Sequence, residues 1–339
     1  MPLRIVEKLT LHSFSTCANL LDAVHSHSYA CDMELARYRM IAIDLDGTLL
    51  SPRGEVTPRT KAAIHRALGA GLLVCFATGR NYTESRTVLD AVEHYGSAVF
   101  VGGAMVIDTA KQVTLHRMLM DPALAAGVSQ VLEDFGHAVL ALQDTAHAGV
   151  DYLITEGIEV NNSTALWLRL TNATVRRVPN LGKYGHEHTV RVGIVAETDD
   201  IDDVKRALSE RFGERVFFQS IFVPAQRVQV LEVFDPSVNK WEGILHVARA
   251  HEIDASQIIA IGDDVNDLHM IANAGLGVAM GNARDEIKAI AQRVIGTNHE
   301  EGLAGFLEEL VESQVVAPLG AADAADAKQE DSRGADAAA

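Results

Sequence analysis

The residues most able to do chemistry lie in two short acidic stretches. In Asp44-Leu45-Asp46-Gly47-Thr48, two carboxylates stand two residues apart, directly after the apolar run Met40 to Ile43. An apolar run closed by polar turn residues reads as a buried strand entering a loop. The carboxylates therefore leave the carboxyl end of a strand, where open α/β sheets bind ligands. Two anions held close are costly unless a cation sits between them. Hard oxygen ligands suit magnesium, which brings its own affinity for phosphate. Gly47 permits the tight turn and Thr48 can hydrogen-bond locally to fix it. An Asp-rich surface turn would carry the same residue types, but the buried strand ahead of it argues against that. The second stretch, Gly262-Asp263-Asp264-Val265-Asn266-Asp267, follows the apolar run Ile258 to Ile261 in the same way.

These loops need a sheet to hold them. Thr57-Pro58 reads as an N-cap and first helical residue, and the helix through Ala63, Ile64, Ala67 and Leu68 stops at Gly69. A second buried strand, Leu72 to Ala77, ends in Thr78-Gly79-Arg80. Another helix runs through Val88, Leu89 and Val92, and a third strand, Ala98 to Val101, ends in Gly102-Gly103. Thr78 can donate to an anion, or cap the next helix, or do both. Strand–helix–strand alternation predicts parallel pairing with helices on the sheet faces. The pattern returns late, with a helix over 241–250, a strand over 258–261, a strand over 278–280 and a helix over 286–292. Between the two halves, helical patterns (123–135, 201–212) alternate with strands (138–142, 189–195), and none of these strands ends in an Asp-rich turn. The predicted fold is α/β: a doubly wound, Rossmann-like parallel-sheet core, 39–120 and 223–312, with an inserted α/β cap over 121–222. Pro224 to Arg227 reads as the linker returning to the core. Residues 1–38 read as an N-terminal extension or an over-long start. They lack the clean apolar stretch and small-residue cleavage site of a signal peptide. Residues 313–339 read as a disordered acidic, Ala-rich tail.

The order of these motifs resembles the haloacid dehalogenase-like phosphatases, whose first motif has the form DxDGT after an apolar strand. The resemblance implies that Asp44 attacks phosphorus to form an aspartyl-phosphate. It implies that Asp46 protonates the leaving oxygen and then helps activate water. A carboxylate is a weak nucleophile and becomes competent only in line with a metal-neutralised phosphate. Thr78 fits the second motif and Lys240 the basic third. Gly262 to Asp267 matches the family's GDxxND, in which the first Asp, here Asp263, ligates magnesium. The implied phosphate site is Leu45, Thr78, Gly79, Lys240 and Asn266; the implied metal set is Asp44, Asp46 and Asp263, with Asp267 in support. Leu231-Glu232-Val233, Met270-Ile271 with Ala274-Gly275, Gly277 to Ala283 and Thr297-Asn298 with Glu301-Gly302 are similar to the Cof-type phosphatases of subfamily IIB, which carry an α/β cap between the second and third motifs. That resemblance spans about residues 39 to 312. One departure is Gly102, where the family often has Asn.

Composition limits the alternatives. A net charge of −17 over 339 residues argues against nucleic acid or anionic lipid as a partner. No run of about 18 apolar residues predicts a membrane span. Cys17, Cys31 and Cys75 are odd in number and scattered, which reads as reduced thiols in a cytoplasmic protein rather than a disulfide framework. The expected activity is magnesium-dependent hydrolysis of small phosphorylated metabolites, sugar phosphates foremost, because a cap restricts bulky substrates. A phosphomutase or phosphotransferase would share all four motifs, and a non-catalytic metabolite-binding protein would share the fold. The cap's His147, Arg169, Arg176, Arg177, His186 and His188 cannot be sorted into pocket and surface by sequence.

Overall fold

The computed structural model describes residues 38–196, 201–223 and 227–316. Strand β1 (Met40–Ile43) is buried along its whole length, as four consecutive apolar residues require of a strand covered on both faces. Helix α1 (Pro58–Gly69) starts at Thr57, whose hydroxyl accepts from the Thr60 amide, and leads to β2 (Leu73–Phe76). Helix α2 (Tyr82–Ala91) is capped by Asn81, with Glu84 closing the capping box. Strand β3 (Ser97–Phe100) follows.

Two strands then come that sequence reading missed, β4 (Met105–Asp108) and β5 (Val113–Arg117), each antiparallel to the strand before it. The reason is the link between β3 and β4. Val101, Gly102 and Gly103 all have positive φ (55°, 64° and 111°) and turn the chain at once. A link that short leaves no room for the helical crossover that parallel pairing needs.

The central module contains α3 (Pro122–Asp134), β6 (Leu140–Gln143), β7 (Tyr152–Thr155), α4 (Asn162–Thr171), β8 (Val175–Val178), β9 (Thr189–Ala196), α5 (Ile201–Phe212), β10 (Phe217–Val223) and β11 (Val228–Phe234). Its strands form one sheet in the order β10-β11-β9-β6-β7-β8, antiparallel except for β7 with β8. Val128 and Leu132 of α3 and Val204 and Leu208 of α5 join Ala141, Val192, Ile194, Leu231 and Val233 of the sheet in one buried apolar cluster.

This corrects the expected boundary at Phe222. Strand β11, placed in the core by sequence, pairs with both β9 and β10 and buries Leu231 and Val233 against the module's helices. Residues 224–226 lie outside the described residues. Since β10 and β11 pair as far as Val223 with Val228, the segment 224–227 joins two strands of one sheet rather than returning to the core.

The second half of the core runs α6 (Lys240–Ala250), β12 (Ile258–Gly262), α7 (Leu268–Asn273), β13 (Leu276–Ala279), α8 (Asp285–Ile290), β14 (Arg293–Val294) and α9 (Gly302–Val316). The core sheet has the order β14-β13-β12-β1-β2, all parallel. Strand β3 adds to it through a parallel bridge between Ala77 and Val99. Helix α9 continues past the expected end of the core at residue 312 and reaches Val316, two residues before Pro318, whose ring disfavours helix in the residue ahead of it. Of the expected extension over 1–38, residues 1–37 lie outside the described residues, as does the expected tail over 313–339 from residue 317 on.

The register sets the chemistry. Ile43 pairs with Ile261 on one side and Phe76 on the other. Three strands therefore end level, and the loops that begin at Asp44, Ala77 and Asp263 open on the same sheet edge.

Candidate active site

Asp44 leaves β1 buried, and its Oδ1 accepts from Lys240 Nζ at 2.6 Å. Lys240 is the first residue of α6, held at the sheet edge because Asn239 caps that helix by accepting from the Glu242 amide. The lysine is fully buried, and its ammonium also donates to Asp267 Oδ1 at 2.6 Å and to Asn266 Oδ1 at 3.3 Å. The other oxygen of Asp267 accepts from the amides of Asp263 and Asp264 at 2.9 and 3.1 Å, which fixes the loop that carries Asp263. Asp263 in turn accepts from Thr48 Oγ1 at 3.3 Å and Asn282 Nδ2 at 3.2 Å. Thr48 thus ties the first loop to the fourth, rather than fixing its own turn. Gly47 lies between them at φ 80°, and a Cβ there would sit 2.1 Å from Asp263 Oδ2, so both backbone and space require glycine.

The electrostatics are unbalanced. Carboxylate oxygens of Asp44, Asp263 and Asp267 all lie within 4.8 Å of one another around one ammonium. Burial alone would lower the Lys240 pKa, but Asp267 and Asp44 overcome it and hold the amine above its ordinary range. The surplus negative charge falls on the acids. Burial, then Asp267, then Asp264 push Asp263 up to about 7. Burial raises Asp44 well above a normal aspartate, with Asp267 adding to it and Lys240 opposing. Close carboxylates in this state fit a hard divalent cation such as magnesium, which would supply the missing positive charge. Asp44 and Asp263 would hold it, since both oxygens of Asp267 are committed to Lys240 and the loop amides.

Asp46 is not part of that cluster. Its side chain is exposed and paired with Arg80, whose Nε donates to Asp46 Oδ2 at 2.8 Å. The structure thus separates the two carboxylates of the first motif, one buried among acids and one on the rim against a cation. Leu45 is buried directly behind Asp44. Thr78 is also buried; its amide donates to Val99 O and its Oγ1 accepts from the Arg80 amide at 3.1 Å. Thr78 is not the cap of α2, since Asn81 fills that role. A Cβ on Gly79 would lie 3.7 Å from Asn266 Nδ2, so the second and fourth motifs approach each other directly. Asn266, Asn239 and Gly102 line one end of a cleft of about 530 Å³, with Phe217, Gln219 and Phe234 of the central sheet along it. Gly102, at φ 64°, lies in the left-handed region that asparagine also tolerates, so the departure from Asn keeps the turn and removes a side chain from the cleft.

The structure brings Asp44, Leu45, Thr78, Gly79, Lys240, Asp263, Asn266 and Asp267 to one sheet edge. Sequence reasoning missed the role of Asn282, which donates to Gly47 O at 2.9 Å as well as to Asp263. Its signal was its place in Gly281-Asn282-Ala283, directly after a buried strand. Of the cap residues left unsorted, His186 is structural: it is buried between Thr189 Oγ1 and Leu181 O at 2.9 and 2.8 Å. His147 pairs with buried Asp144, and Arg169, Arg176 and Arg177 are exposed.

A model of the haloacid dehalogenase-like hydrolase family matches residues 41–307. The chain is 31% identical over 288 residues to 5-amino-6-(5-phospho-D-ribitylamino)uracil phosphatase YitU of Bacillus subtilis, covering 82% of this chain and 98% of the relative. It is 26% identical over 282 residues to an HMP-PP phosphatase of Serratia proteamaculans, covering 81% and 96%. Among solved structures, a haloacid dehalogenase-like hydrolase from Bacteroides thetaiotaomicron superposes with a TM-score of 0.68 at 21% identity, covering 80% of this chain and 99% of that one, and shows the same fold.

Proposed function

The chain belongs to the haloacid dehalogenase-like hydrolase family and is a phosphatase of it, and on that premise we propose that it is a magnesium-dependent enzyme that hydrolyses small phosphorylated metabolites, of the sugar-phosphate kind, through an aspartyl-phosphate on Asp44. The observation that carries this reading is the buried ammonium of Lys240, 2.6 Å from both Asp44 and Asp267, with Asp263 beside them. One cation among surplus carboxylates is a site built to accept a second cation together with a phosphate dianion.

A bound magnesium ion would neutralise phosphoryl oxygens and hold them in line with Asp44. The chain's own residues do the rest. Lys240 orients the Asp44 carboxylate and opposes the protonation that burial favours there. Asp44 Oδ attacks phosphorus as the ester oxygen departs, and Asp46 gives that oxygen its proton. Water then attacks the aspartyl-phosphate, Asp46 takes back a proton, and Asp44 is released with inorganic phosphate. Asp46 suits this two-way role because it stands on the rim, where substrate and water both reach it, with Arg80 steadying it. Thr78, Gly79 and Asn266 complete the phosphate cradle, and Leu45 supports it from behind.

The cleft of about 530 Å³ next to Asn266 suits a metabolite rather than a protein side chain. The relatives support the same size class, being named for a phospho-D-ribitylamino uracil and for HMP-PP. No helix among the described residues is long and apolar enough to cross a membrane.

The test is phosphate release from a panel of sugar and nucleotide monophosphates, with and without magnesium, for the wild type and Asp44→Asn. Magnesium-dependent release lost in the variant supports the reading, and the preferred ester names the substrate. Release that survives the substitution would sink it.

A further inference from the structure

The loop that follows β2 is held by three successive carbonyls. Thr78 O accepts from the Gly102 amide at 3.0 Å, and Arg80 O accepts from the Val101 amide at 2.9 Å. Both donors belong to the core turn after β3. The middle carbonyl, Gly79 O, accepts instead from Arg191 Nη1 at 3.4 Å, a side chain of β9 in the central sheet. That guanidinium is buried: it pairs with Glu232 of β11 and its Nη2 donates to Tyr152 Oη of β7 at 3.1 Å. Tyr152 Oη in turn donates to Glu84 Oε1 at 3.2 Å and accepts from Asn81 Nδ2 at 3.1 Å, reaching the capping box of α2. Gln219 of β10 closes the far side, donating to Glu232 Oε2 at 2.7 Å.

The middle carbonyl matters because Gly79 C=O and the Arg80 N–H belong to one planar peptide unit, so the orientation of one fixes the other. That N–H is the donor to Thr78 Oγ1 at 3.1 Å. With an acceptor lone pair filled, the Thr78 hydroxyl has its proton free to donate toward the phosphoryl group. The same peptide unit carries the Cα of Arg80, which steadies Asp46.

We propose that Arg191 is a positioning residue of the central sheet that sets the Thr78 hydroxyl, and with it the phosphate loop, by gripping the Gly79–Arg80 peptide. The inference rests on the phosphatase reading for its kinetic consequence, though not for its structural one. Docking of the central sheet on α2 and alignment of the phosphate loop become one event, because the same guanidinium takes part in both. Arginine is needed because only its fork reaches Glu232, Tyr152 and Gly79 together; a lysine supplies the charge but not the geometry.

The test compares the wild type with Arg191→Lys and with the charge-balanced double variant Arg191→Met/Glu232→Gln. Three readouts are taken with magnesium: hydrolysis of p-nitrophenyl phosphate, calorimetric binding of vanadate, and binding of inorganic phosphate. A misaligned donor costs more in the transition state than in the ground state. The expected result is a fall in kcat of about tenfold to a hundredfold in both variants, with KM within about threefold. Vanadate affinity should fall by a factor like that of kcat, and phosphate affinity should hold. Arg191→Lys keeps the ion pair with Glu232 and should melt close to the wild type, so its kinetic loss separates positioning from mere structural support. Unchanged kcat and vanadate affinity in a folded variant overturns the proposal, and so does a loss confined to KM. If the wild type binds vanadate yet hydrolyses no ester, the phosphatase reading falls while the variants' vanadate affinities still decide the grip.

Discussion

Two buried cations organise this molecule in opposite ways. Lys240 stands among Asp44, Asp263 and Asp267, which together carry more negative charge than one ammonium can balance. Arg191 stands among Glu232, Tyr152 and the Gly79 carbonyl, and both Glu232 and Tyr152 are hydrogen-bonded in turn. Burial would strip the charge from Arg191, but Glu232, Tyr152 and Glu84 hold it above its ordinary range. Tyr152, driven up by burial and by Glu84, stays neutral and remains a donor. The first cluster is left wanting a cation and can bind one; in the second the buried cation has its charge matched by Glu232. Surplus charge marks chemistry, and a satisfied network marks support.

The comparison can be broken most decisively at Asp44. Asp44→Asn should lower turnover of p-nitrophenyl phosphate by about 10³-fold or more. Retention of a tenth of the wild-type rate would move the chemistry away from the Lys240 cluster. Next in size is Lys240→Met, which leaves Asp44 and Asp267 buried without their partner. It should cost about 3–5 kcal/mol in urea unfolding without metal, and magnesium should restore part of that loss. A metal-independent cost would mean Asp44 and Asp263 do not share an ion.

A smaller effect should follow pH. Asp263, raised to about 7 by burial and its acidic neighbours, keeps a proton in the folded apo chain that the unfolded chain releases near its ordinary value. A raised carboxylate pKa means stability falls as pH climbs from about 4 to about 7 and levels off above that. Magnesium needs the ionised form, so its stabilisation should grow across the same window. Thermal melts with and without the ion, from about pH 5 to about pH 8, read both slopes; a magnesium shift independent of pH would remove Asp263 from the metal set. Smallest is Gly102→Asn. At φ 64° the asparagine fits, so stability should stay within about 0.5 kcal/mol, whereas Gly103→Ala puts a Cβ 1.9 Å from Asn239 O and should unseat the start of α6. Equal urea midpoints for the two variants would show that this turn tolerates side chains generally.

The two clusters also differ in how far sequence revealed them. Asp44, Asp46, Asp263, Asn266 and Asp267 sit in two contiguous motifs, each announced by a buried strand, because a ligand site at a sheet edge is built from the loops that leave it. Lys240 was legible only through the motif order, since a lone lysine carries no local signal. Arg191, Tyr152 and Glu232 come from three strands with different sequence neighbours, and only the antiparallel register brings them together. For the same reason β4, β5, β7, β8 and β10 escaped notice and β11 was placed in the wrong half, whereas β1, β2, β12 and the capped α1 were plain from apolar runs and N-cap chemistry. Asp46 shows the reverse limit: its motif was clear, but its Arg80 partner was not.

The pairing of β1 with β12 also shapes how the chain must assemble. Met40 meets Ile258, so the central pair of the core sheet cannot form until the chain between them has closed a very long loop. The entropy of that closure grows only slowly with length, yet the search it requires slows folding. The six-stranded module lies inside that loop and has its own apolar cluster, with most of its strand pairs antiparallel. Once it has condensed, the span left to close is far shorter. Condensing the insertion first would therefore act as a tether, bringing the two halves of the nucleophile's sheet within reach of each other.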